Sequence, residues 1–88
     1  MSDWFVNISC LLRAEGRDRS IKIRISEPFP VHGKVEYRCL VQAPELLRRD
    51  VEIAGIDADQ ARALSVEFVK SMAGDLELID QEGNRIVL

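Results

Sequence analysis

The chain has 88 residues, of which 47% are hydrophobic and 31% charged, enough apolar mass for one modest core and too few residues to close a second. It is therefore expected to form a single domain over residues 1–88. The formal charge of −3 is unevenly spread: residues 1–49 carry nine Lys/Arg against six Asp/Glu, and residues 50–88 carry three against nine. No apolar run reaches the roughly 20 residues that cross a bilayer, and "MSDWFVNISC" has neither a basic region nor a cleavable apolar segment, so the expected setting is cytoplasmic with no membrane.

From Trp4 to Arg13 the residues alternate, which predicts a half-buried strand. Trp4, Val6, Ile8, Cys10 and Leu12 fall on its core face, and Phe5, Asn7, Ser9, Leu11 and Arg13 on the other. "AEGRDR" (14–19) reads as the turn, with Gly16 free to take a positive φ. "SIKIRIS" (20–26) is a second strand, Ile21, Ile23 and Ile25 inward. Pro28 and Pro30 lack ladder amides and make 27–33 a loop or an edge. "KVEYRCLVQ" (34–42) is a third strand, with Val35, Tyr37, Cys39 and Val41 inward.

The connection 43–50 brings Leu46 and Leu47 to an edge of the core. "VEIAG" (51–55) is a short fourth strand. Asp57 then suits a helix N-cap, with Gln60 at the capping-box position. Beyond it Ala58, Ala61, Leu64, Ser65, Phe68, Val69, Met72 and Leu76 gather on one helical face, and Gly74 suits the terminating residue. The tail suggests a short hairpin about Gly83-Asn84. These elements define an α+β fold in two layers: an antiparallel β-meander of about four strands, covered on one face by one long amphipathic helix, with a short C-terminal hairpin. Cys10 and Cys39, on strands separated by a third, lie too far apart for a disulfide and are expected as buried thiols.

Chemistry is sparse. His32, the one histidine, stands in the Pro-rich loop. Pairing it with Cys39 would require that loop to fold over the buried face. With Cys10 and Cys39 it makes three soft ligands lacking paired spacing, so no metal and no cofactor are expected. No two carboxylates are singled out for acid–base work, and the catalytic set is read as none. The strand–Gly55–helix layout resembles the start of a phosphate loop. However, it offers one glycine, followed by Asp57 and Asp59, whose charges repel an anion. Arg13, Lys22, Arg24, Lys34 and Arg38 would form a basic patch on the outward sheet face. Phe5 is the sole stacking aromatic expected there, which argues against nucleic acid.

The segments "LLRAEGRDRSIKIRISEPFP", "YRCLVQ" and "IAGIDADQARALSVEF" resemble a family of small bacterial proteins grouped as a domain of unknown function. The likeness runs from Leu12 to about Leu76, with a Gly-x-Asp-x-x-Gln-Ala-Leu helix entry at Gly55, Asp57, Gln60 and Ala61. Arg62 stands where that pattern has Leu, and the tail from Glu77 departs from it. The resemblance implies the fold and a bacterial intracellular setting, and brings no activity. The leading expectation is a non-enzymatic binding or protein-interaction module, acting through the exposed sheet face or an edge strand, with self-association as a homodimer one form of it. Phe5, Leu11 and Leu40 on the outward face point the same way. The alternatives are an immunity- or antitoxin-like partner of a neighbouring gene product, or a small-ligand or nucleic-acid binder. A pocket lined by Tyr37, Cys39 and the His32 loop would favour the ligand reading.

Overall fold

The computed structural model describes residues 3–33, 35–74, 77–80 and 82–86. It is an α+β fold, an antiparallel six-stranded sheet carrying one helix. The strands are β1 (Trp4–Ala14), β2 (Arg17–Ser26), β3 (Phe29–Pro30), β4 (Tyr37–Gln42), β5 (Val51–Gly55) and β6 (Glu77–Ile79), with α1 (Ala58–Ala73) between the last two. β1, β2, β4 and β5 follow one another across the sheet as the expected meander.

β4 is the strand with the most neighbours. Val41 pairs with both Ile25 and Val51, and Tyr37 with both Pro30 and Gly55. Hence β5 lies along one edge of β4, and β2 and β3 share the other. The Pro-rich loop is thus partly strand. Pro30 fits it because Val31 N–H donates to Glu36 O (3.1 Å), which makes Pro30–Tyr37 a pair that needs no amide from Pro30.

The β1–β2 turn is tighter than the six residues expected from "AEGRDR". The strands run on to the pair Ala14–Arg17, leaving a two-residue loop of Glu15 and Gly16 at φ 53° and 76°. Positive φ at both positions is the signature of the type I′ turn, whose twist matches that of the strands.

At the other end of β1 the register shifts between Trp4 and Val6, a bulge that places Trp4 opposite Ser26 and Val6 opposite Ile25. One extra residue inverts the pleat. Trp4 therefore leaves the core face on which alternation placed it. It stacks under Arg24 on the opposite face, the guanidinium 5.3 Å from its ring centre. Phe5 moves the other way, onto the helix side beneath Arg62 at 5.8 Å.

The core gathers Cys10, Leu12, Ile21, Ile23, Ile25, Cys39 and Val41 from the sheet and Ala61, Val69 and Ala73 from α1. The helix packs on β4 and β5 through a stripe of small residues, Ala61, Ser65, Val69 and Ala73. Leu64 and Met72, expected inward, are 43% and 41% exposed, because the stripe that faces the sheet is centred one position away from them. Val35, also expected inward, is 94% exposed, since β4 begins only at Tyr37. Leu76 and Lys34 lie outside the described residues. Leu46 and Leu47 do cover the core, in a turn closed by their N–H groups on Ala43 O.

The tail hairpin joins the main sheet. β6 pairs antiparallel with β1 at Leu11–Arg13, and Ile79 bridges Arg85. The turn between is built on Asp80, whose carboxylate accepts from Glu82 N–H and Asn84 N–H, both at 2.9 Å.

Candidate functional site

The joint between β5 and α1 is closed to ligands. Asp57 Oδ1 accepts from Gln60 N–H (2.7 Å), Gln60 Oε1 accepts from Ile56 N–H (2.8 Å), and Ala61 N–H reaches Asp57 O (3.1 Å). The capping box is present with its return bond moved one residue outward, from the N-cap to Ile56. A Cβ on Gly55 would stand 2.5 Å from Ala61 N and 2.9 Å from its Cα. Gly55 therefore serves close packing of strand on helix, and nothing in the joint cradles a phosphate.

The candidate nucleophiles and base are not brought together. Cys10 and Cys39 are free and buried on β1 and β4, with β2 between them. Burial pushes both thiols above their ordinary value. For Cys10 the charge of Glu45 adds to the rise, and for Cys39 the neighbouring Ser65 hydroxyl works against it. Ser65, fully buried, gives its own hydroxyl hydrogen to Ala61 O (2.7 Å). His32 is exposed, at the turn after β3. A pocket at Tyr37, Cys39 and His32 has no floor, because Cys39 is 0% exposed. No group of three or more His, Cys, Asp or Glu among the described residues is placed to hold a metal ion.

The helix-free face carries the basic residues, and most of them are engaged. Arg13 Nε donates to Asp18 (2.9 Å) and holds that carboxyl below its usual range. Arg24 lies over Trp4. Arg38 donates to Glu52 (3.1 Å) and Glu36 (3.3 Å), which raise its pKa further, and its Nε is buried without a partner. Lys22, Arg24, Gln42, Pro44 and Asp50 line a shallow cleft of about 280 Å³ where β2 and β4 diverge, and Gln42 donates to Asp50 there (2.9 Å). A second cleft of about 230 Å³ lies beside it, with Ser9, Ser20 and Glu45 on its walls. Trp4, which alternation alone assigns to the core, and Phe29, opposite Arg38 and exposed, are aromatics of this face. Leu11 pairs with Ile79, itself 3% exposed, and Leu40 is half-buried.

The sheet edges differ. The outer side of β6 is covered by the chain itself, where Ile86 N–H donates to Leu78 O (2.8 Å) and Arg85 bridges Ile79. The free edge of β2, where β4 has turned away, is covered by the 43–50 connection. There the Glu45 carboxylate accepts from Lys22 N–H and Arg19 donates to Glu45 O (2.6 Å). Among the described strands β5 pairs with β4 alone, as does the two-residue β3, whose outer side carries Pro30 with no amide to donate.

Alternation of the ladder tells which groups of β5 face outward. Arg38 and Leu40 direct their backbone groups toward β3 and β2, as the bond from Leu40 N–H to Ser26 Oγ (2.8 Å) marks. Tyr37, Cys39 and Val41 thus bond to Gly55, Ile53 and Val51, which leaves Glu52 and Ala54 with N–H and C=O pointing off the sheet. Both residues are exposed. The next outward amide, Ile56 N–H, is taken by Gln60.

Beside this edge runs an apolar stripe of α1. Arg62 reaches Glu27 (3.3 Å) and Phe5, so its flank of the helix faces the middle of the sheet. The opposite flank carries exposed Leu64 and Met72 with Phe68 between them, partly buried against the core, and Ile56 before the helix is 70% exposed. Alternation of sequence could mark β5 as a strand. That its outer side stays open follows from pairings no sequence period encodes. A comparison with family models, curated proteins and solved structures finds no match to this chain. No helix of the described residues is long and apolar enough to cross a membrane.

Proposed function

We propose that this protein is a non-enzymatic interaction module whose working surface is the open edge of β5 together with the Leu64–Phe68–Met72 stripe. The observation that carries this reading is the contrast between edges. Backbone or side-chain groups of the chain cover the free sides of β6 and β2, while no hydrogen bond among the described residues reaches the outward backbone groups of Glu52 and Ala54. An open edge is a template for an added strand, which gains main-chain hydrogen bonds along it and side-chain contacts beside it. β5 has no Pro and no Lys to discourage such pairing, and its one charge, Glu52, is held by Arg38. The burial of both thiols and the isolation of His32 support a role without covalent chemistry.

The test is Ala54→Pro. Its ring removes an amide that points off the sheet, so the β4–β5 ladder keeps its bonds while an added strand loses one. Native isolation of the full chain from its own cells is expected to recover a bound protein, either further copies or another chain, with wild type and not with Ala54→Pro. Equal recovery with both would refute the edge as the working surface.

A further inference from the structure

Resting on that reading, we propose that the partner of β5 is β5 of a second copy, paired antiparallel about a two-fold axis at Ile53. Register decides between the ways two such edges can meet. The outward groups belong to Glu52 and Ala54, so the registers open to the pair set either residue against itself or against the other. Glu52 opposite Glu52 sets like charges across the ladder. Ala54 opposite Ala54 brings Glu52 to Ile56, whose amide Gln60 already holds. Only Glu52 opposite Ala54 pairs every outward group of both strands and sets no like charges across the ladder.

That register also matches charge. β5 is preceded by Arg48 and Arg49, both exposed and without an ion pair among the described residues, and offset in part by Asp50. It is followed by Asp57, whose carboxylate caps α1, and by Asp59, paired with Arg62 at 2.8 Å but with its side chain 96% exposed, so that the acidic end is offset in part as the basic end is. Antiparallel pairing lays the basic end of each strand against the acidic end of the other, twice by symmetry. The two Ile53 side chains meet on the helix side, between the apolar flanks of the two helices. The product is a continuous sheet through both copies, with no open edge at its centre.

Sedimentation equilibrium of the full chain, with cysteine variants at the edge, tests this. A two-fold mass is expected as the concentration rises toward about 1 mM, the weak end of specific association. At the axis, a pair without hydrogen bonds sets its Cα atoms about 4.5 Å apart, within the reach of a disulfide. Ile53→Cys should therefore oxidise to a covalent dimer, while Glu52→Cys and Ala54→Cys, each diagonal to its own copy, should not. Arg48→Glu with Arg49→Glu should weaken association about tenfold or more, with the loss greatest at low salt. Wild type that stays monomeric throughout overturns the proposal, and so does a dimer in which Glu52→Cys cross-links as readily as Ile53→Cys. If wild type is monomeric but another protein is recovered with it and lost with Ala54→Pro, the second copy is refuted and the edge reading stands. If Ala54→Pro changes neither recovery nor mass, both fall.

Discussion

Replacing Gly55 with Ala probes the contact that fixes the helix on the sheet. Its backbone is not in the left-handed region, so the substitution changes space and not dihedral preference. In a tolerant position it would stabilise by about 0.4–1 kcal/mol, by restricting the unfolded chain. Here the new methyl would lie 2.5 Å from Ala61 N, where ordinary contact begins at 3.4 Å. The shortfall of about 0.9 Å is set against backbone, which no rotamer change relieves. Overpacking of this kind costs about 1–3 kcal/mol. Displacing the first helical turn also stretches the Asp57 and Gln60 cap bonds, with about 0.5–2 kcal/mol at stake. A net loss of about 0.5–4.5 kcal/mol is expected, centred near about 2.5 kcal/mol, or about 10–20 °C in Tm at that centre for a chain of this size. Urea denaturation followed by circular dichroism measures it directly. A Gly55→Ala variant as stable as wild type would refute the account of the joint.

Other substitutions read other elements. Glu15, at φ 53°, should be improved by Glu15→Asn, which makes the Asn-Gly pair that type I′ turns favour, with a gain of about 0.5 kcal/mol in the same denaturation assay. Asp57→Ala should lose about 1 kcal/mol with its cap, while Asp57→Ser should recover most of it. Cys10 and Cys39 should resist alkylation in the native state and react in urea. Their thiols are raised above 9.0 on folding, so the unfolded chain ionises first; that contribution to stability is full below pH 9 and declines as pH rises through the folded values, which a denaturation series from pH 7 to 10.5 would follow. Asp18, lowered by Arg13, acts in the opposite sense: its stabilising share is present above the ordinary carboxylate range and is lost as pH falls through its folded value. Its proton resonances should titrate below those of an unpaired aspartate.

Much of the fold is legible in the residues, because periods of two and 3.6 switch cleanly at Gly55. "SIKIRIS" gives the strand face of Ile21, Ile23 and Ile25 without ambiguity, and Asp57 and Gly74 bound the helix as their capping chemistry requires. Where alternation misled, a local device intervened. The bulge at Trp4–Val6 exchanged the faces of Trp4 and Phe5, and nothing in "DWFVN" announces an extra residue in the ladder. Val35 obeys the alternation of "KVEYRCLV" but stands before β4 begins. Leu64 and Met72 belong to the apolar arc of α1, yet the helix rests on Ala61, Ser65, Val69 and Ala73, whose small side chains permit the closer approach. The candidate surface was the least legible part. An open edge is defined by which strands decline to pair, and that depends on β6 travelling to the far side of the sheet to join β1.

Backbone amide exchange at Glu52 and Ala54, followed residue by residue as the protein concentration is raised, tests the edge most directly. In the dilute monomer both amides should exchange far faster than those of Ile53 and Gly55, which bond to β4. As the chain associates they should become protected together, while exposed amides elsewhere, such as those of the Glu15-Gly16 turn, stay unchanged. Protection already complete in the monomer, or association that leaves Glu52 and Ala54 exchanging freely, would contradict the assignment of β5 as the surface through which this protein works.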